Sequence, residues 1–135
     1  MQRLRTMRRV LDEGEWLTAE QLNALQPDPP ANASHPASDW KRRKRIFSVN
    51  HGGRDYFPRY QFDAMYQPLP IIKEILAAFG EVADPWLLAA WFHFPSGWIV
   101  RRDDTDTVAV APKDALDRRD AVLAAAARRP SSYVA

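Results

Sequence analysis

The chain contains no cysteine. A disulfide scaffold, a thiolate zinc site and a cysteine nucleophile are therefore excluded. Glycine is scarce, with five residues against eleven prolines. No glycine-rich phosphate loop or Gly-x-Ser-x-Gly elbow occurs, and no cofactor is expected. Long apolar runs are missing as well. The longest, from Pro85 to Pro95, is about half of what a membrane-spanning helix needs. The first residues carry Arg3, Arg5, Arg8 and Arg9, with no apolar stretch and cleavage site after them. A signal peptide is not expected, and the expected compartment is the cytoplasm.

Metal and catalytic signatures are also lacking. His35, His51 and His93 are scattered and never stand in a His-x-x-x-His spacing. His93 lies in an aromatic run that reads as a packed helix. Asp103, Asp104 and Asp106 lack the glycine and distal glutamate of a calcium loop and read as a solvated turn. Nucleophile, base and orienting group do not cluster, so no enzyme is expected.

What is present is a short chain of 135 residues with 46% apolar residues and five tryptophans. That suffices for one or two small domains with a modest core. The net charge of +2 is unevenly placed. Residues 1–60 hold 11 Lys/Arg against 7 Asp/Glu, and residues 61–135 hold 8 against 10. The densest cluster is Lys41, Arg42, Arg43, Lys44 and Arg45.

Periodicity predicts a helix from Gln2 to Glu13, with Leu4, Met7, Val10 and Leu11 on one face. Thr18 and Gln21 form a capping box for a second, short helix presenting Leu22 and Leu25 to the core. Pro27 to Ala33 reads as a loop. Ser34 is the expected cap of a third helix with Pro36 in its first turn, Ala37 and Trp40 inward and the basic residues elsewhere. Ile46–Val49 alternates like a strand. Gly52-Gly53 supplies a turn, and Asp55-Tyr56-Phe57 returns as the second strand of a hairpin.

After Phe62 the pattern becomes helical. Pro68 or Pro70 starts a helix that Gly80 ends, and Asp84-Pro85 caps another holding Trp86, Leu87, Ala90, Trp91 and Phe94. Thr105–Val110 is ambiguous. Pro112 is expected to start the last helix, with Leu116, Val122, Leu123 and Ala126 periodic. The predicted fold is mainly α with one small β-hairpin. It comprises a winged helix-turn-helix-like module at 1–60 and a helical module at 61–135.

A basic helix followed by a hairpin is the layout of a helix-turn-helix with a wing. His35, Ser38, Lys41, Arg42, Arg43, Lys44, Arg45 and Arg54 are the expected DNA contacts, to phosphates or base edges. A solvated helix end would show the same charge run, and Asp39 would repel phosphates. In the C-terminal half the aromatic residues exceed what so small a core can hold. Trp86, Trp91, Phe94 and Trp98 are therefore candidates for partner binding.

The run Asp39-Trp40-Lys41-Arg42-Arg43, Ile46-Phe47-Ser48-Val49, Gly52-Gly53-Arg54, Tyr56-Phe57-Pro58 and Gln61-Phe62 carries a resemblance. So do Trp86-Leu87-Leu88-Ala89-Ala90-Trp91-Phe92 with Pro95, and Ala111-Pro112 with Ala115-Leu116. Together, over residues 10–128, they resemble bacterial antitoxin-like proteins with a small helix-turn-helix and a C-terminal toxin-binding domain of the Xre/MbcA/ParS type. The resemblance implies a regulator that binds its own operator and blocks a RES-domain toxin, an NAD⁺-consuming enzyme. It implies that the segment Ala111 to Arg129 and the tail meet the toxin, with Tyr133 and Val134 foremost. Two departures from the family pattern are the long Pro27–Ala33 loop and an insertion at 99–110.

The expected function is that of a non-enzymatic DNA-binding regulator of antitoxin type. The alternative is a protein interaction module without DNA binding. A homodimer is expected, because two half-sites need two recognition helices.

Overall fold

The computed structural model describes residues 2–29 and 36–128. Among them lie six α-helices and five strands, the strands arranged in a three-stranded and a two-stranded antiparallel sheet. The fold is mixed α/β, which corrects the expectation of a mainly α chain with one hairpin. The overlooked strands are those without a clear period. β1 is only Trp16–Leu17. β4, Ser96–Asp103, has a register shift between Ser96 and Val100 that breaks its alternation.

The chain divides into two compact units, Glu13–Ala77 and a second made of Met1–Asp12 with Ala78–Ala135. Periodicity shows that a helix has an apolar face but not which element covers it; the first helix falls in one unit with the C-terminal residues.

In the unit Glu13–Ala77, the elements are β1, α2 (Ala19–Ala24), α3 (Ala37–Arg42), β2 (Val49–His51), β3 (Arg54–Pro58), a 3-10 turn at Arg59–Gln61 and most of α4 (Pro70–Phe79). Thr18 starts α2 as expected. Its hydroxyl accepts from the Gln21 amide at 3.2 Å while its own amide donates to Gln21 Oε1 at 2.8 Å. Leu22 is fully buried, but Leu25 is 42% exposed and does not join the core. Leu22, Ala37, Trp40, Ile46, Phe57 and Phe62 pack together. Gly52 and Gly53 take φ of 60° and 79°. Positive φ at both positions gives the tight turn whose twist matches the paired strands. The sheet order is β1-β3-β2, because Trp16–Leu17 pairs with the far side of β3.

Ile46, Phe47 and Ser48 are not a strand. They and Val49 are all buried, with no alternation. The first ladder pair of β2 is Val49 with Tyr56.

In the second unit, α1 (Gln2–Glu13) meets both ends of the α5 region. Arg3 pairs with Asp84 at 2.7 Å, and the Arg9 guanidinium lies 4.8 Å over the Phe94 ring. Asp84 also caps α5 (Pro85–His93) by accepting from the Trp86 amide. Of the expected α1 face, Val10 is buried while Leu4 is 61% exposed. α5 is covered nearly all round, with Trp86, Leu88, Ala89, Ala90, Trp91 and Phe92 buried. The division between the units, after Ala77, falls within α4, which ends before Gly80, whose φ is 73°.

β4 and β5 (Asp106–Val110) form a second hairpin, which occupies the expected insertion. Its turn includes Asp104 at φ 51°, a conformation that aspartate tolerates better than most residues. Pro112 does not start the last helix. It opens a short 3-10 turn, Pro112–Asp114, and α6 runs from Arg119 to Ala127 against β4. No helix among the described residues is long and apolar enough to cross a membrane.

Candidate nucleic-acid interface

α3 divides its residues by face. Ala37 and Trp40 are buried, at 0% and 7% exposure, while Ser38, Lys41 and Arg42 are exposed. The inward pair is anchored by the tilted packing of Trp40 on Phe62, with ring centroids 6.1 Å apart. Trp40 therefore sets the direction in which the basic side chains leave the helix.

Each of the first three cations has an acidic partner. Lys41 Nζ lies 3.1 Å from Asp55 Oδ2 on β3, and Asp55 also accepts from Asn50 Nδ2 at 3.2 Å. Arg42 donates to Asp39, and Arg43 Nε lies 3.1 Å from the same carboxylate. The Arg42 guanidinium, bonded to Asp39, holds that carboxyl below the usual carboxylate range, with Arg43 adding to the effect. Asp39 thus organises the two arginines. These exposed pairs are worth little to stability. Their effect is to restrict where the guanidinium groups point.

Lys44 leaves the helix in the left-handed region, at φ 60°. The Arg45 amide returns to the Trp40 carbonyl at 2.9 Å, closing the end of α3, and Arg45 itself is half-buried. Arg54 is exposed at the first position of β3, directly opposite His51. It neighbours Asp55 on the strand, so the two side chains leave opposite faces of β3, while the Lys41–Asp55 contact joins the hairpin to α3. The run Lys41–Arg45 carries five cations, and the carboxylates that Lys41, Arg42 and Arg43 meet are Asp39 and Asp55. Positive charge remains in excess. His35 lies outside the described residues.

Asp55 and Asn50 were not among the sequence candidates. Fourteen positions separate Lys41 from Asp55, and local charge patterning does not reach that far.

The aromatic candidates separate differently. Trp86 and Trp91 are 8% and 4% exposed, so they are interior residues and offer no surface to a partner. Trp91 stands edge-on to Phe79 at 5.0 Å and to Phe92 at 4.9 Å. Phe94 is half-buried under Arg9. Trp98 alone of the four is exposed, at 58%, with the Arg128 guanidinium 4.9 Å from its ring. Val100 and Val108 are also exposed on the same hairpin. Tyr133 and Val134 lie outside the described residues. No three His, Asp or Glu side chains among the described residues converge as metal ligands.

No family model matches the chain, and neither a curated protein nor a solved structure does so.

Proposed function

We propose that this chain is a non-enzymatic, cytoplasmic DNA-binding regulator of antitoxin type. The observation that carries the reading is the joint surface of α3 and the β2–β3 hairpin, tied by Lys41 and Asp55 at 3.1 Å. Its excess of cations suits a phosphate backbone. The buried Trp40 gives the surface a fixed base, and a fixed base lets charge-assisted contacts form without further ordering. Lys41, Arg42 and Arg54 meet phosphates or guanine edges, and Ser38 meets either. A homodimer places two such surfaces on adjacent half-sites. The RES-type toxin partner rests on the sequence resemblance, and the C-terminal unit is assigned to it on that ground.

A mobility shift with DNA from upstream of the chain's own gene tests the regulatory half. A salt-sensitive shift that Arg42→Glu abolishes supports it, and an unshifted duplex at low salt overturns it. Co-expression with the adjacent gene product tests the other half, for which a stoichiometric complex with a RES-type protein is expected.

The second reading is a protein interaction module without DNA binding. It is favoured by the exposure of Trp98, Val100 and Val108 on one hairpin, since exposed tryptophan is a common interface anchor. Under it, Trp98→Ala abolishes partner capture and Arg42→Glu leaves it intact.

A further inference from the structure

A cleft of about 540 Å³ opens between the end of α5, the β4–β5 hairpin and the turn before α6. Its size is that of a small-molecule site. Arg101, Arg118, Asp114 and Asp117 supply charged groups to its wall. Pro95, Val110 and Ala115 supply apolar surface.

The charged groups differ in how far they are occupied. Asp114 lies 3.6 Å from Lys113. Arg118 donates one Nη1 bond to the Val100 carbonyl at 2.9 Å, which holds its guanidinium against β4. A guanidinium has five donors, so others remain for a ligand. The side chains of Arg101 and Asp117 make no hydrogen bond or ion pair among the described residues. Cationic and anionic side chains thus line one cleft together with the apolar Pro95, Val110 and Ala115.

We propose that this cleft binds a zwitterionic amino acid with an apolar side chain. Arg101, seconded by Arg118, takes the carboxylate, for which planar guanidinium geometry is suited. Asp117 takes the ammonium group. Pro95, Val110 and Ala115 cover the side chain. The opposite signs exclude a simple anion as the fitting ligand, because Asp117 would repel it, and exclude a simple cation through Arg101. The site is independent of the DNA-binding reading.

The test uses the full chain and three small probes followed by amide chemical-shift titration. L-phenylalanine carries both charges, 3-phenylpropionate lacks the ammonium group, and phenethylamine lacks the carboxylate. L-phenylalanine is expected to saturate shifts around residues 93–118 at millimolar concentration, with each analogue weaker by about tenfold, or 1.4 kcal/mol. Arg101→Gln and Asp117→Asn, both at exposed positions, are expected to weaken L-phenylalanine by a similar factor while leaving the spectrum folded. Absence of saturable shifts up to about 10 mM overturns the proposal. So does equal binding of 3-phenylpropionate, which would identify an anion site instead.

Discussion

The side-chain amide of Gln61 acts as the strand partner of Phe47. Its Oε1 accepts from the Phe47 amide at 2.8 Å, and its Nε2 donates to the Phe47 carbonyl at 3.0 Å. Gln61 is fully buried, and Phe47 is 6% exposed. The segment Ile46–Ser48 lies inside without a sheet ladder, so its backbone groups need another source of hydrogen bonds. One glutamine supplies both at once and fixes the path from α3 into the hairpin.

Gln61→Leu keeps the volume and removes both bonds. A buried donor and a buried acceptor on Phe47 then lose their partner, at about 1–3 kcal/mol each. The expected loss is about 3 kcal/mol in urea unfolding, with the hairpin amides the first to lose protection from hydrogen exchange. A loss below about 0.5 kcal/mol, the scale of an ordinary surface change, would show that Phe47 is satisfied otherwise.

The two tryptophans at 91 and 98 should behave in opposite ways. Trp91→Ala empties a site between Phe79 and Phe92 and is expected to cost about 3–5 kcal/mol. Trp98→Ala removes an exposed ring and one cation–π contact with Arg128, worth about 0.5–1 kcal/mol. Thermal or denaturant unfolding of both variants checks this. Equal costs would contradict the burial pattern of α5 and β4.

Asp39 gives a pH dependence with a defined sign. Its carboxyl titrates below the ordinary value of 3.8 because Arg42 and Arg43 stabilise the charged form. Its contribution to stability is therefore present above the ordinary carboxylate range and is lost as pH falls through the lowered value. In Arg42→Ala the carboxyl midpoint should move upward, toward 3.8, as followed by the side-chain carbon signal. An unchanged midpoint would mean that the Arg42 contact does not persist in solution.

Several local features were legible in the sequence because a short-range rule governs them. The Thr18–Gln21 box, the Gly52-Gly53 turn, the Asp84 cap and the stop at Gly80 each depend on a few adjacent residues. Trp40 and Ala37 were legible as the inward pair of α3 for the same reason. What was not legible depends on distant partners. β1 exists because β3 offers it an edge, and β4 is held by β5 and α6 despite its irregular register. Pro112 predicted a helix start, but a 3-10 turn intervenes and α6 begins seven positions later. The tryptophan count suggested a surplus over the core. Instead α5 is enclosed on nearly every side, so Trp86 and Trp91 are absorbed and only Trp98 remains outside. The acidic partner of Lys41 is invisible to charge patterning because it sits on another element.

Asp39 also bears on affinity. It opposes phosphate and occupies Arg42 and Arg43. Asp39→Asn should tighten binding to duplex DNA of any sequence, by a few-fold at low salt, as measured by fluorescence anisotropy. Weaker binding would show instead that the carboxylate's orienting effect outweighs its repulsion.

The most direct test of the central claim is the salt dependence of duplex binding. The affinity of the full chain for labelled DNA is measured by anisotropy between low and physiological salt. The basic surface of α3 and the hairpin predicts a linear fall of log K with log salt, with a slope of about −3 to −5. Arg54→Ala should make that slope shallower by about 1. No binding at low salt, or a slope near zero that Arg54→Ala leaves unchanged, would contradict the assignment of this surface to nucleic acid.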